Sequence, residues 1–373
     1  MKPDDRNLAP QMQRTPSAAT FVCPDRFERD MSTWYRRRWL CVGRTEELPR
    51  PGGFVSRRIV GMSLLIMHGR DGRIRAFYNS CRHRGTLLTE SAHGHLAKCR
   101  IACPYHAWTF DCDGTLLGAP GMKEVEGFDE ADWGLNSLEC DTWGGFVFVR
   151  ADDSIPNDPL LQSLADFPEK FAAWPLADLK TGARIEYDIQ ANWKLILQNY
   201  SECLHCPSVH PALARLSPPT SGENDPANGC YVGGRMSLND GVASMTADGS
   251  TRRPIFPKLN PTESRHVYYY ILLPNMMMSF HPDYVLTHRL EPVTPDRTKM
   301  TCEWLFEPAT MARSDFDPRD AVQFWDLTNR QDWHMCELTQ RGIASGGYVP
   351  GPYSNREHLL FELDQVLAEP IDQ

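Results

Sequence analysis

Two short segments of the chain each set one cysteine beside one histidine. They are Cys81-Arg82-His83 and, after nineteen intervening residues, Cys103-Pro104-Tyr105-His106. Two thiolates and two imidazoles suit two chemistries. One is a tetrahedral zinc site; the other is a [2Fe–2S] cluster with two cysteines on one iron and two histidines on the other. Zinc fingers usually pair Cys with Cys and His with His along the chain, whereas here each segment carries one of each. Two similar loops that meet tip to tip, each giving one ligand to each iron, produce that order. A second group lies about a hundred residues downstream, where Glu202, His205 and His210 follow Asn192-Trp193-Lys194-Leu195-Ile196-Leu197-Gln198. A helix capped by Asn192 and stopped by Pro207 puts Gln198, Glu202 and His205 on one face, with His210 just past the break. Two neutral imidazoles with an open face suit a mononuclear Fe(II) that leaves room for oxygen, once a carboxylate completes the set. Asp326 and Asp332 are both candidates for that carboxylate. They sit on a helix expected to start with Asp317 as N-cap and Pro318 at its first position and to run to Glu337. Trp325, Asn329 and Asp332 share one face of it.

The elements that must hold these residues are visible as patterns. Val55 to Ala76 reads as short strands around a Gly69–Gly72 turn. Asn79 leads into the first cysteine–histidine loop and Gly85 leads out. Trp108, Phe110 and the Asp113-Gly114 turn follow the second loop, and Trp143–Phe148 reads as a closing strand. The result is a small antiparallel β domain with two exposed loops, in which His93, His95, Cys99 and Cys112 are structural. Further on, 267–273, 276–280, 284–290 and 300–306 read as strands of a sheet. The stretch 215–262 is rich in Pro, Gly, Ser, Asn and Asp and reads as a long irregular segment over a pocket. Arg36-Arg37-Arg38 reads as a solvated helix face.

Composition narrows the function classes. The chain has 373 residues, enough for two domains. Lys plus Arg number 39 against 48 acidic residues, a formal charge of −9, which argues against general nucleic-acid binding. No apolar run approaches the ~20 residues of a membrane-spanning helix. Met1 to Thr20 is polar without a signal core, so a loose arm and a cytoplasmic location are expected. Twelve cysteines in such a compartment should be mostly free. There is no G-x-G-x-x-G and no Walker A motif, hence no flavin or nicotinamide site is expected, and electrons must come from a separate protein.

With these motifs in this order, the chain resembles the catalytic α subunit of a Rieske non-haem iron oxygenase over roughly residues 25–368. The resemblance implies an α+β fold: a small all-β Rieske domain, then a helix-grip catalytic domain with a large antiparallel sheet. The division expected is an arm over 1–26, a Rieske [2Fe–2S] domain with its leading helix over 27–155, and a mononuclear-iron domain over 156–373. By resemblance, Cys81 and Cys103 hold one cluster iron and His83 and His106 the other, while His205 and His210 bind the mononuclear iron. Gln331-Asp332 and Cys336-Glu337 match a family run, which selects Asp332 over Asp326 as third ligand. Glu202 stands where the family has an acid linking a cluster histidine of one subunit to an iron histidine of the next in a ring-like trimer. Glutamate there, and the tail from Ser345 to Ser354 with Glu357, are similar to the group oxidising choline, glycine betaine and carnitine.

The implied partners are a separate NAD(P)H-dependent flavin and iron–sulfur reductase, a small-molecule substrate and O2. The implied assembly is a homotrimer, or a hexamer made as a dimer of trimers, with no nucleic acid and no membrane. The leading activity is hydroxylation or oxidative N-demethylation of a methylated or quaternary amine. Trp325, Asn329 and Gln198 are candidates for its pocket, and Trp325 and Trp333 are the available aromatic walls. The alternatives are hydroxylation or dihydroxylation of an aromatic ring, and a non-catalytic electron carrier or zinc-stabilised binding protein.

Overall fold

The computed structural model describes residues 12–151, 158–227 and 229–368. Strands β1 (Leu40–Arg44), β2 (Gly53–Ile59), β3 (Met62–His68), β4 (Ile74–Tyr78), β5 (His93–His95), β6 (Arg100–Ala102), β7 (Thr109–Asp111), β8 (Leu116–Gly118), β9 (Ser137–Trp143) and β10 (Phe146–Arg150) form two sheets. The larger runs β1-β10-β9-β4-β3-β2-β5 and the smaller β6-β7-β8. Strands β11 (Lys180–Ile189), β12 (Glu223–Asn224), β13 (Tyr231–Ser237), β14 (His266–Leu272), β15 (Met276–Phe280), β16 (Val285–Thr294) and β17 (Arg297–Phe306) form the third. Its order is β11-β17-β16-β15-β14-β13-β12, antiparallel at every pairing. This is the α+β architecture the resemblance implied.

Helices α1 (Ala19–Val22), α2 (Pro24–Asp30), α3 (Leu160–Ser163), α4 (Phe167–Lys170), α5 (Trp193–Tyr200), α6 (Cys206–Val209), α7 (Pro211–Leu216), α8 (Pro308–Met311), α9 (Arg319–Ala344) and α10 (His358–Ala368) flank these sheets. The 26-residue α9 is ~39 Å long at 1.5 Å per residue. Its buried positions include Ala321, Phe324, Trp325, Thr328, Asn329, Trp333, Cys336, Gln340 and Ile343, an apolar stripe of three- and four-residue steps. Asp332 sits on the edge of that stripe, which is why a carboxylate can reach the interior. Fully burying one such large apolar side chain contributes roughly 1.5–3 kcal/mol.

The halves are bound to each other. Asn275, between β14 and β15, accepts from Cys41 N (3.0 Å) and donates to Cys41 O (2.9 Å) on β1. Buried Arg44 donates to Leu179 O at 2.7 Å. One core cluster contains residues from both, from Leu40 and Val42 to Trp304 and Trp325.

Several expectations need correction. The first eleven residues of the expected arm, and the expected boundary at 155–156, lie outside the described residues. Residues 12–26 are held against the far end of the chain. Thr15 bonds Tyr348 and Gly351, Tyr353 N donates to Gln13 O, and Phe21 is buried. Trp143–Phe148 is a hairpin rather than one strand, because Gly144 and Gly145 both take positive φ (57° and 79°) between β9 and β10. The irregular stretch 215–262 contains β13, an interior strand. Arg38 is no solvated residue: it lies over the Trp34 ring at 4.8 Å and donates to Gly229 O. Helix α9 begins at Arg319, one residue beyond the expected start, with Asp317 Oδ1 accepting from Arg319 N at 3.0 Å.

Candidate metal centres and active site

The two cysteine–histidine loops share one backbone design. Cys81 N donates to Thr86 O and Cys103 N to Trp108 O, both at 2.8 Å. Gly85 N and Ala107 N, each four residues after its cysteine, return to the cysteine carbonyl at 2.9 and 3.1 Å. Both take positive φ, 77° and 57°. Glycine does so without penalty, whereas Ala107 is held there by the loop. Asn79 braces the first loop from within, accepting from Leu88 N and Thr89 N. The matched turns bring Cys81 against Cys103, both buried. The Cys81 thiol is pushed up by burial and by Cys103, against the backbone N–H groups of His83 and Arg84 that point at its sulfur. The His83 and His106 rings lie 4.7 Å apart. His83 is exposed and lies flat on Trp108 (4.9 Å, 5°), and Tyr105 flanks His106 at 3.7 Å. Sulfur ligands inside and imidazoles at the surface fit a [2Fe–2S] cluster whose histidine edge faces out. His93 and His95 form β5, paired with β2 away from this point, and Cys99 and Cys112 are buried beside it.

The second group is assembled by a turn and a helix. Asn192 caps α5 by accepting from Lys194 N at 3.0 Å, and Lys194 is itself buried against Asp30. The helix stops at Tyr200, so Glu202 and His205 lie in the following turn rather than on one helical face. Pro207 starts α6 instead of ending α5, as proline suits a first helical turn. The turn still joins them: Glu202 Oε1 accepts from His205 Nδ1 at 2.5 Å, and Glu202 Oε2 accepts from Leu204 N. Asp332 reaches in from α9, with Oδ1 3.2 Å from His205 Nε2 and 2.7 Å from His210 Nε2. Gln331, which the sequence offered only as part of the family run and not as a site residue, holds His210 Nδ1 through its Oε1 at 2.8 Å. Each imidazole is thereby gripped at Nδ1, and both Nε2 atoms turn to the same point.

Ligand atoms of His205, His210 and Asp332 all lie within 4.8 Å of one another. Burial alone lowers the His205 pKa, but the Asp332 and Glu202 carboxylates override it and raise it to about 9. Burial alone raises Asp332, but the two histidines hold it below its usual value. A site that draws a proton this strongly between its ligands draws a divalent cation for the same electrostatic reason. Two imidazoles and one carboxylate on one side, with the other side open to a cavity, fit a mononuclear non-haem iron. Asp326 is elsewhere, bonded to Tyr187 and Arg330, and His334 is exposed on α9.

The cavity beyond the triad has a volume of about 420 Å³, within the range of small-molecule sites. Tyr200, Tyr269 and Trp325 stand in its wall, and Arg235 and Arg356 also border it. Gly233 and Gly234 on β13, which also border the cavity, let the flanking strands approach closely, since a β-carbon at either would meet a carbonyl oxygen of β14 or β12 at 2.3 Å. Two expected pocket residues are turned away. Gln198 donates to Asp364 on α10 at 2.6 Å. Asn329 faces the protein interior, toward His288, Tyr187 and Cys302. Trp333 packs on Tyr187 and His288.

Family models match both halves. The Rieske [2Fe–2S] domain matches residues 38–129, and the ring-hydroxylating α subunit catalytic domain matches 176–373. The glycine betaine monooxygenase oxygenase subunit of Chromohalobacter salexigens is 34% identical over 363 residues, covering 89% of this chain and 80% of that one. The carnitine monooxygenase oxygenase subunit of Acinetobacter pittii is 36% identical over 215 residues, 57% of each chain. Among solved structures, the apo form of the quaternary ammonium Rieske monooxygenase CntA superposes with a TM-score of 0.77 at 26% identity, covering 96% of this chain and 97% of that one. Naphthalene 1,2-dioxygenase from Rhodococcus shares the fold, with a TM-score of 0.75 at 18% identity over 95% of this chain and 94% of that one. The chain belongs to the Rieske non-haem iron oxygenases, as the catalytic α subunit that carries a [2Fe–2S] cluster and a mononuclear iron.

Proposed function

We propose that this oxygenase hydroxylates an N-methyl group of a methylated or quaternary amine, releasing the methyl carbon as formaldehyde. The observation that carries this reading is the cavity wall. Trp325 spends its indole N–H on Tyr284 OH at 2.7 Å, and Tyr200 shares its hydroxyl with Ser279 Oγ at 2.8 Å. Both rings therefore offer the cavity carbon surface and π density. A quaternary ammonium has no proton to donate and is held by such faces. Relatives named for glycine betaine and carnitine support the same reading.

When bound, the cluster would supply one-electron storage and the iron would supply oxygen activation. This chain's residues supply the rest. Cys81, His83, Cys103 and His106 would hold the cluster, with the two cysteines buried and the two imidazoles toward the surface. His205, His210 and Asp332 hold the iron, and Gln331 fixes the tautomer of His210. Glu202 holds His205 Nδ1 and serves as the bridge toward a cluster histidine of a neighbouring subunit in a trimer, or in a hexamer of two trimers. A separate NAD(P)H-dependent flavin and iron–sulfur reductase delivers the electrons. The division into 27–155 and 156–373 and a cytoplasmic location belong to the same proposal. Among the described residues no helix is long and apolar enough to cross a membrane.

A single turnover tests the reading. Reduced, iron-loaded protein meets oxygen and a panel of methylated amines and aromatic acids, with products read by mass spectrometry. Formaldehyde and an amine lighter by one methyl group are expected. A hydroxylated ring with all amines untouched would overturn the amine reading in favour of arene oxidation.

A further inference from the structure

Cys203 and Cys206 bracket the iron ligand His205, and their sulfurs are joined in a disulfide across a Cα–Cα distance of 5.0 Å. None of the other ten cysteines is in a disulfide. Both members of the pair line the cavity into which His205, His210 and Asp332 face. The ring that the disulfide closes contains Leu204 and His205, and these two residues provide both groups that hold Glu202. The crosslink thus spans the turn that carries an iron ligand and its carboxylate partner.

A staple for stability is a poor account of this bond. Closing so short a loop constrains the unfolded chain least, and this turn is already flanked by α5 and α6. Disulfides in reducing compartments are instead mostly transient, catalytic or redox-sensing. The proposed function places the reduction of oxygen in this cavity. Two-electron reduction of oxygen that is not followed by hydroxylation of substrate would yield hydrogen peroxide beside these two sulfurs.

We propose that Cys203 and Cys206 form a redox couple in the wall of the catalytic cavity, oxidised by peroxide released there and reset by a dithiol reductant, with the disulfide tightening the hold of the His205 turn on iron. The first thiol attacks peroxide, the O–O bond breaks, and water leaves from a sulfenic acid. The second thiol attacks that sulfur, forming the S–S bond and expelling a second water. Two thiols and one peroxide thus become one disulfide and two waters. Thiol–disulfide exchange with a dithiol returns both protons and both electrons to the pair. Oxidation removes a peroxide that would damage the site, and it crosslinks the turn while oxidant is present.

The hold on iron rests on the assignment of His205 as a ligand, while the couple does not. The full chain, metal-free and reduced, is therefore treated with stoichiometric hydrogen peroxide, alkylated and digested. A peptide linked through Cys203 and Cys206 is expected, lost in Cys203→Ser and in Cys206→Ser, and opened by dithiothreitol without unfolding. Peroxide that leaves the two cysteines unlinked, or a linkage that opens only after denaturation, overturns the couple. In iron-loaded protein, a chelator should remove mononuclear iron several-fold faster from the dithiol form and from Cys203→Ser than from the disulfide form. Equal rates overturn the hold on iron. Iron content of His205→Ala separately tests the ligand assignment.

Discussion

Gln331 and Asp332, consecutive residues of α9, take the two nitrogens of one imidazole: His210 Nδ1 lies 2.8 Å from Gln331 Oε1 and His210 Nε2 2.7 Å from Asp332 Oδ1. The ring is thus oriented by the same helix that carries Asp332, the proposed carboxylate ligand. Gln331→Leu should leave the ring free to turn and weaken the mononuclear iron by roughly 10–100-fold, the usual effect of losing such a partner. Gln331→Glu, which still accepts from Nδ1, should retain it. Iron titration followed by the signal of the ferrous nitrosyl adduct checks both.

Asp332→Ala should strip the mononuclear iron while the cluster absorbance stays. Asp326→Ala should leave both metals bound, because Asp326 serves Tyr187 and Arg330. Metal analysis of the two variants side by side decides. An iron-replete Asp332→Ala protein would remove it from the ligand set.

Glu202→Ala should hold the mononuclear iron more weakly, as Gln331→Leu does, but with iron supplied in excess it should carry both metals and still lose steady-state turnover by orders of magnitude. If Glu202 is the bridge, the loss lies in reoxidation of the cluster, which rapid mixing of reduced protein with oxygen and substrate reads directly. Normal cluster reoxidation in that variant would sink the bridge.

Trp325→Leu should raise KM for a quaternary amine by about 2- to 30-fold, the equivalent of ~0.5–2 kcal/mol of cation–π attraction. A neutral isostere bound in the same cavity should be affected less. Equal losses for both would assign Trp325 to packing alone.

Acid should destabilise the protein through His288. Burial holds its pKa at about 4, with Asn329 and Asp332 opposing. In the unfolded chain the value is near 6.5, so below that pH the unfolded state takes up a proton that the folded state refuses. Stability therefore falls as pH drops from 6.5 toward 4 and levels off below. His288→Asn should show a shallower decline in urea midpoints over that window, and an unchanged slope would count against His288.

Parts of this molecule could be read from residue order because they depend on neighbours within a few positions. The pairs Cys81/His83 and Cys103/His106 each sit on a single turn, and aromatic and β-branched runs marked β14 to β17. The remainder depended on distant partners. Strand β13 carries Gly233 and Gly234, which mask a strand pattern and are there because β12 and β14 approach closely. Pro207 has two meanings in a helical stretch, terminator and initiator, and only tertiary structure chooses between them. Gln198 lost its expected role when α5 ended early and α10 offered Asp364. Gln331 carries no signal of its own, since any acceptor of that reach would serve.

The contacts of residues 13–26 with the catalytic half bear on whether the two halves are separable. Besides Thr15 and Gln13, Phe21 O accepts from Asn192 at 3.1 Å, Thr20 O from Lys194 at 3.1 Å, and Leu367 O from Arg26 at 3.2 Å. Residues 13–26, which precede the cluster-bearing module in sequence, thus pack on the half that follows it, so the module is an insertion strapped down at both sides rather than a bead on a string. A protease nick between β10 and β11 should therefore give two fragments that co-elute on gel filtration. Exchanging that module between relatives should succeed only when residues 13–26 stay with the recipient.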